Sequence, residues 1–505
     1  MRFAVLAALV AVPLLAVPAA YAADDDPTVA TYHADAARSG HYVVPGLTWA
    51  NAAGLRRDAA FDGHVPGHIY AQPLYWHPPG AARGLVIVAT EDNVVAALDA
   101  TTGSTVWQRS LGPATPYAAI DCGNIDPLGI TGTPVIDAPR GALYLDAMVD
   151  GDTGPRHLIY GLSLADGAVL PGWPVDVAVT LRAIGMAFDP RTQNQRGALA
   201  LAGGRLFVPF GGYYGLCGGF RGWVVGLSLD KPAAFGAWHP SAPGGGIWAP
   251  GGIASDGRDL FVVTNATTGK GDWSGGNAVI RLPPNLHWQA APQDFFAPAE
   301  WHAWGLLGRV NPLPLDLPDG GPGAALLVEL TDDGRAYLID RGDLGGIGHP
   351  LAVQQVAADR IATSPAAYRD GHDMLVAFQA AALSPAICPA EATATGLRGA
   401  SSAPGVVALR ISGTPQPAMR IAWCAELSGE GGAIVTTSDA AADPIVWSVG
   451  AEGDNRLHGL RGDTGQAVFV SDTLPGLRHF TTILAAAGRL YVAGDGQVFA
   501  FGFAR

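Results

Sequence analysis

Short apolar runs that end in turn residues recur along almost the whole chain, in a unit of roughly 45 to 65 residues. The clearest copy spans residues 84–112, where three β-branched, apolar runs are separated by turns at 91–93 and 101–103. Runs of this length and composition are typical of strands that are buried on both faces between packed sheets. The repeat therefore predicts a chain built from stacked, strand-rich units.

Weaker copies of the same pattern of runs and turns follow this one. They cover residues 130–177, 196–239, 245–289, 308–356, 364–427, 433–474 and 479–503. The last copy stops one run short, and a propeller closes its ring by lending an N-terminal strand to the final blade. The sequence therefore predicts an all-β, single β-propeller of eight blades, each a four-stranded antiparallel sheet, closed by a strand within residues 55–64. Seven blades is the alternative, because residues 364–427 are irregular.

The composition favours one domain of strands and turns. The chain has 68 Gly and 39 Pro, charged residues make up only 15%, and hydrophobic residues reach 49%. Short apolar runs that end in Gly, Asp or Asn dominate, and no Ser-rich linker or charge block divides the chain. We therefore expect residues 23–505 to form a single propeller domain.

The N-terminus predicts export. An apolar run at residues 4–19 follows a short positive start, and Ala20-Tyr21-Ala22 supplies the small-x-small pattern that signal peptidase recognises. Pro13 and Pro18 interrupt the run and argue against a transmembrane anchor. We expect residues 1–22 to be a signal peptide and the mature chain to be periplasmic or secreted, with no membrane span.

The formal charge of −14 limits the partners of the chain. An acidic surface repels phosphate backbones and anionic lipids, so we expect no nucleic acid partner and no binding to a membrane surface. We expect a monomer that meets a protein partner or a small-molecule ligand on one face of the propeller.

Four cysteines are present, and an even count in an exported chain favours two disulfides. The sequence permits three pairings, and proximity along the chain favours Cys122–Cys217 and Cys388–Cys424. No CxxC or Cys/His cluster points to a structural zinc site.

One segment resembles a known repeat. Residues 97–107 read ALDATTGSTVW, and residues 460–465 are a partial second copy. The motif resembles the repeat of proteins that bind pyrroloquinoline quinone (PQQ), in which Gly103 would adopt a positive φ and Trp107 would pack between adjacent sheets. A longer resemblance to exported bacterial PQQ-like propeller proteins rests on residues 32–40, 70–75, 89–103, 122–137, 188–196, 245–248 and 336–346.

This resemblance implies a set of site residues. In the quinoprotein alcohol dehydrogenases a Trp lies under the PQQ, and Glu and Asn oxygens hold Ca²⁺ or a lanthanide. An Asp is the general base, and an Arg or Lys contacts the quinone oxygens. By resemblance, Trp248 would be the cofactor-binding Trp, and Asn265 the Asn that binds the cofactor and metal. The alternative is that Trp248 packs between blades and Asn265 belongs to a turn.

Other positions depart from the family pattern. Residues 217–220, CGGF, stand where the metal-binding Glu is expected, and residues 298–302, PAEWH, lack both Asp residues of the base segment. Glu300 is the one candidate for a substitute catalytic base. Asp332 and Asp333 replace the Arg that precedes a turn, and no two cysteines are adjacent. A divalent cation that lacks its carboxylate ligand is poorly held.

Three other polar groups stand out in the sequence. His33, Asp35 and Arg38 are interpreted as tying the N-terminal segment onto the propeller. Glu91-Asp92-Asn93 is either an acidic ligand cluster or ordinary turn chemistry, which we favour. Residues 193–196, QNQR, precede a strand and are interpreted as lining one end of the central channel.

Two functions follow from these observations. The favoured one is an exported PQQ-like propeller that acts as a ligand- or protein-binding scaffold, with its quinone and metal pocket lost. The alternative is a PQQ- and Ca²⁺- or lanthanide-dependent oxidoreductase that oxidises an alcohol. The alternative requires Glu, Asn and Asp side chains that converge above Trp248.

Overall fold

A computed structural model describes most of the chain after the predicted signal peptide, which lies outside the described residues. The described residues are 28–213, 217–269, 271–303, 305–318, 320, 323–388 and 403–503. Two short strands, β1 (His41–Val43) and β2 (Arg56–Arg57), come before the first blade.

The first four blades follow one another along the chain, and each is an antiparallel sheet of consecutive strands. Blade 1 contains β3 (Leu74–Trp76), β4 (Leu85–Ala89), β5 (Val94–Asp99) and β6 (Thr105–Ser110). Blade 2 contains β7 (Val135–Asp137), β8 (Ala142–Gly151), β9 (Gly154–Ser163) and β10 (Val175–Asp176). Blade 3 contains β11 (Ala200–Ala202), β12 (Arg205–Phe210), β13 (Trp223–Ser228) and β14 (Phe235–Trp238). Blade 4 contains β15 (Ala254–Ser255), β16 (Leu260–Thr264), β17 (Ala278–Leu282) and β18 (Phe295–Ala297).

The remaining four blades repeat this arrangement with small additions. Blade 5 contains β19 (Leu313–Asp316), β20 (Ala325–Leu330), β21 (Arg335–Asp340) and β23 (Ala352–Gln355), while β22 (Gly346–Ile347) pairs in parallel with β18. Blade 6 contains β24 (Ala366–Asp370), β25 (Asp373–Leu383), β26 (Ala403–Ser412) and β27 (Ala418–Glu426). Blade 7 contains β28 (Ile434–Thr437), β29 (Ile445–Val449), β30 (Leu457–Arg461) and β31 (Ala467–Val470). Blade 8 contains β32 (Ile483–Ala486), β33 (Arg489–Gly494) and β34 (Gln497–Gly502).

The ring closes as the repeat predicts. β3 lies beside both β7 and β32, so the first blade contacts the last. β2 completes blade 8 as its outermost strand, with Arg56 opposite Gly502 and Arg57 opposite Phe501. The predictions of a β-propeller with eight blades and an N-terminal closing strand are therefore confirmed. Within the irregular stretch 364–427, the described residues 364–388 and 403–427 contain the four strands of blade 6.

The repeat motif shows why the blades form. The Asp99 carboxylate accepts hydrogen bonds from the backbone amides of Thr101 and Thr102, both at 2.8 Å, which caps the turn into β6. Gly103 has φ +73°, and a Cβ there would lie 2.5 Å from the Gly63 nitrogen, so no other residue fits without strain. Trp107 is buried and its Nε1 donates to the Leu164 carbonyl of blade 2 at 2.8 Å. The motif thus links each turn to the packing of the next sheet.

Residues 29–43, named the central plug here, cross the middle of the ring. Val29 exchanges backbone hydrogen bonds with Tyr75 of blade 1, and β1 pairs in parallel with β28 of blade 7. Between these ends, the central plug accepts hydrogen bonds from the first strands of blades 2, 4 and 6, donated by the amides of Ile136, Ser255 and Ala367. The segment therefore ties together blades that do not touch one another.

Two buried side chains fix the central plug. His33 places Nδ1 3.1 Å from the Pro365 carbonyl and Nε2 2.9 Å from the Thr482 hydroxyl. Arg38 donates to the Leu199 carbonyl at 2.8 Å and to the Ile253 carbonyl at 2.7 Å. Both side chains are fully buried. The interpretation that His33 and Arg38 tie down the N-terminal segment is confirmed, whereas Asp35 bonds locally to Ser39.

Both expected disulfides are present. Cys122–Cys217 joins the loop before blade 2 to the loop between β12 and β13 of blade 3, with a Cα–Cα distance of 5.8 Å. Cys388–Cys424 lies within blade 6, at 6.1 Å. The pairing that proximity along the chain favoured is confirmed.

The described residues contain two α-helices, α1 (Tyr117–Ile120) and α2 (Val177–Ala183). The Asp176 side chain caps α2 by accepting from the Val179 amide at 2.9 Å. Within this part of the chain, no helix has the length and apolar character to cross a bilayer.

Candidate functional site

One face of the ring opens into a cavity of about 1000 Å³, named the central cavity here. Its wall comes from two kinds of loop, those that lead into the first strand of a blade and those that join the second and third strands. The first kind carries Arg196, Trp248 and Arg309, and the second kind carries Tyr213 and Asn265. Because these loops meet at the same end of every blade, residues far apart in sequence face one space.

The central plug lies near two of the loops that form the cavity wall. In blade 3 the cavity residue Arg196 is soon followed by Leu199, and in blade 4 Trp248 is followed by Ile253. The carbonyls of Leu199 and Ile253 both accept hydrogen bonds from Arg38. The central plug is therefore bonded to the same two segments of chain that carry Arg196 and Trp248.

Trp248 and Asn265, the two residues that the family resemblance implied, line the same cavity. Trp248 is half-buried, and the Arg309 guanidinium lies over its ring at 5.2 Å from the centroid. Arg309 in turn binds the Asp332 carboxylate. The Asn265 Oδ1 accepts from the neighbouring Ala266 amide at 2.6 Å. The structure thus brings the two predicted residues together, and their binding role stays a prediction.

The acidic groups near Trp248 differ from those that the sequence suggested. Burial raises the pKa of Asp332 to about 6, although Arg309 beside it acts in the opposite direction. Glu300, the candidate base, is exposed, lies 3.7 Å from the Arg335 guanidinium and is absent from the cavity wall. Arg309 therefore connects Trp248 to the Asp332 carboxylate, which the sequence did not single out for this role and which, like Glu300, is absent from the cavity wall.

Three carboxylates line the central cavity, and they are Asp359, Glu430 and Glu452. Glu430 pairs with Arg360, and Glu452 lies 2.7 Å from the His479 ring. All belong to the loops of blades 6 and 7, whereas Asn265 belongs to blade 4. Among the described residues, no group of three His, Cys, Asp or Glu side chains is placed to hold a metal ion. These donors do not fit a cation held jointly by Asn265 and a carboxylate.

Arg196 ends the polar run that the sequence placed at the channel. Its guanidinium lies between two aromatic rings, 5.1 Å from the Phe480 centroid and 5.5 Å from the Tyr70 centroid. The Nε atom is buried and has no acceptor within the described part of the chain. Burial lowers the pKa of Arg196. The interpretation that this run lines one end of the channel agrees with the position of Asn194 and Arg196 in the cavity wall.

Glu91 and Asn93 of the turn at 91–93 are buried beside blade 2, whereas Asp92 is exposed. The Glu91 Oε2 accepts from the Gly129 amide at 2.7 Å, and burial raises the pKa of Glu91 to about 7. Asn93 donates to the Met148 carbonyl at 2.8 Å, so the two side chains link two blades. Asn93 has φ +56°, which agrees with the interpretation as a turn.

Comparisons with known proteins agree with this architecture. The family model described as outer membrane protein assembly factor BamB matches residues 64–217. A quinohemoprotein alcohol dehydrogenase from Comamonas testosteroni is 16% identical, with a TM-score of 0.64 over 95% of this chain and 81% of that one. A second quinohemoprotein alcohol dehydrogenase, from Pseudomonas putida HK5, is 15% identical, with a TM-score of 0.61 over 95% and 81%. A europium-containing methanol dehydrogenase is 15% identical, with a TM-score of 0.60 over 94% and 90%. No curated protein matches the chain.

These similarities confirm the resemblance to the PQQ-like propeller proteins at the level of repeat and fold. Sequence identities of 15 and 16% support a shared fold and do not show a shared activity. The function has to be argued from the central cavity itself.

Proposed function

We propose that the chain is an exported β-propeller that binds a small molecule in its central cavity and has lost the metal-dependent quinone chemistry. The observation that carries this proposal is the Arg309–Asp332 ion pair, whose guanidinium covers one face of Trp248. A cavity of about 1000 Å³ with a mixed aromatic and polar wall is typical of a ligand site.

The donor set supports the loss of the metal. Among the described residues of the cavity wall, Asn265 has no carboxylate of its own blade beside it. In the loops of blades 6 and 7, Glu430 pairs with Arg360, Glu452 lies beside His479, and Asp359 accepts a hydrogen bond from the Arg360 backbone amide. Calcium and the lanthanides need several hard oxygen ligands, usually including a carboxylate. We therefore derive no catalytic step through PQQ or a metal.

One observation favours export of the chain, and another favours a protein partner as an alternative to the small-molecule ligand. Two disulfides suit an oxidising compartment such as the periplasm or the cell exterior. The match of residues 64–217 to the assembly-factor model favours a protein partner on a propeller face as the alternative occupant.

The second candidate function is a PQQ- and Ca²⁺- or lanthanide-dependent oxidation of an alcohol. The placement of Trp248 and Asn265 in one cavity favours it, as does the fold shared with two alcohol dehydrogenases. In that case the proton acceptor would have to be a carboxylate of the cavity wall, to which neither Glu300 nor Asp332 belongs.

Titration of the mature protein with PQQ, with and without Ca²⁺ or La³⁺, separates the two candidates. Tryptophan fluorescence reports on binding near Trp248, and the variant Trp248→Phe is the matched control. We expect no metal-dependent, saturable quenching in the wild type. Quenching that requires the metal, disappears in Trp248→Phe and accompanies dye-linked alcohol oxidation would establish the oxidoreductase instead.

A further inference from the structure

The arginines of the central cavity are not equivalent. Arg309 is paired with Asp332 and Arg360 with Glu430, while the His479 ring lies beside Glu452. Each of the two arginine pairs satisfies its own charge within the protein. Such side chains have little to gain from an anionic ligand, since the ligand would compete with a carboxylate already in place.

Arg196 is different, because no described carboxylate forms an ion pair or a hydrogen bond with it. Glu91 and Glu452 act on it only at a distance, and Glu91 has a pKa of about 7, so its charge is partial at neutral pH. The Nε–H of this half-buried guanidinium is buried without an acceptor, and leaving a buried donor unpaired is costly. Among the described residues of the cavity wall, Arg196 is therefore the arginine whose charge a ligand can neutralise.

The aromatic rings of Tyr70 and Phe480 hold this guanidinium in place. Stacking between two rings restrains the planar group while leaving its edge, where the N–H donors lie, available for other contacts. An edge of this kind matches the two oxygens of a carboxylate. Arg196 is thus ordered before a ligand arrives, which lowers the entropic cost of binding.

The other side chains of the cavity wall indicate the chemistry of the rest of the ligand. Aromatic side chains face the cavity from blades 3 and 4, and they are Tyr213, Phe220 and Trp248. Amide side chains face it as well, and they are Asn124, Asn194 and Asn265. Flat apolar surfaces interspersed with amides suit a planar organic molecule that carries some polar groups.

We propose that the central cavity binds a small organic carboxylate with an aromatic or otherwise planar body, and that Arg196 holds the carboxylate. The inference rests on the proposed function, because it specifies the ligand class of the same cavity. It requires no metal ion. PQQ is itself a planar carboxylic acid, so metal-independent binding of PQQ would fall within this ligand class, whereas binding that depends on a metal would not.

The test compares 2-naphthoate with its uncharged isostere 2-naphthamide by isothermal titration calorimetry on the mature protein. We expect saturable binding of 2-naphthoate at one site per chain, and at least about tenfold weaker binding of the amide, as expected for losing a hydrogen bond to a charged group. In Arg196→Gln, 2-naphthoate should weaken by about tenfold or more while 2-naphthamide changes little. Arg196→Lys should restore part of the affinity.

Arg420→Gln is the matched control, because it removes an exposed arginine of β27 that lies outside the cavity wall. We expect it to change 2-naphthoate affinity by less than about threefold, in line with an exposed charge. Circular dichroism verifies that each variant is folded. Equal binding of acid and amide, no binding of the acid, or equal losses in Arg196→Gln and Arg420→Gln would overturn the inference. Binding of PQQ that requires Ca²⁺ would instead refute the proposed function, whatever Arg196→Gln does.

Discussion

Replacing Arg38 tests whether the central plug holds the ring together. The guanidinium is fully buried and donates to the carbonyls of Leu199 in blade 3 and Ile253 in blade 4, as well as to Thr31 and Tyr32 of its own segment. Burial lowers the pKa of Arg38 to about 10, so the group is still charged at neutral pH.

The expected loss of stability follows from the two backbone carbonyls that are left without a hydrogen-bond donor. In Arg38→Ala the two blade carbonyls lose their donor, and each buried group without a partner costs about 1–3 kcal/mol. Relief of the buried charge offsets part of this loss, whereas the void left by the side chain adds to it. We expect a net decrease of about 3 kcal/mol or more in the free energy of unfolding. Arg38→Lys keeps the charge but cannot span both carbonyls, so its effect should be intermediate.

The assay is equilibrium unfolding in guanidinium chloride, followed by tryptophan fluorescence, with the slope m compared between variants. Arg420→Ala is the control, because this arginine is exposed on β27 and should change stability by less than about 0.5 kcal/mol. A loss below about 1 kcal/mol in Arg38→Ala, with an unchanged slope, would refute the idea that the central plug braces the blades.

Two further predictions concern stability. Burial lowers the pKa of His33 from 6.5 to about 3, so the unfolded chain takes up the proton first and the wild type loses stability as the pH falls below about 6.5. Between pH 7.5 and pH 5 we expect the free energy of unfolding of the wild type to fall by about 2 kcal/mol more than that of His33→Gln. Parallel curves of unfolding free energy against pH for the two proteins would contradict this prediction. Replacing Cys388 and Cys424 by Ala removes a disulfide between residues 36 positions apart in sequence. We expect this change to lower the free energy of unfolding by about 3–4 kcal/mol. An unchanged thermal midpoint in that double variant would show that the disulfide does not restrain the unfolded chain.

The fold could be predicted because its information is local and repeated. The motif around Gly103 and Trp107 encodes a turn that needs positive φ and a ring that packs on the next sheet, and the same arrangement recurs around the ring. The truncated last copy indicated a closing strand, which is β2 at Arg56–Arg57. Blades buried on both faces leave a strong apolar signal, so their number could be counted.

The site could be predicted only in part, because it is built from loops that meet in space without a sequence period. Trp248 and Asn265 were found by resemblance, and Arg196 by its polar neighbours. The pairing of Arg309 with Asp332 carried no local signal, since one residue precedes β19 and the other lies in the turn after β20. The path of the central plug was equally hidden, because its bonds are mostly to backbone carbonyls and amides, which any sequence supplies.

Native mass spectrometry of the purified protein shows whether the central cavity holds PQQ together with a metal ion. The protein would be produced in a host supplied with PQQ and with Ca²⁺ or La³⁺, then measured without prior dialysis. The account predicts no adduct with the combined mass of PQQ and one metal ion, and it predicts that any small acid that co-purifies is lost in Arg196→Gln. A stoichiometric PQQ–metal adduct in the wild type would contradict the account.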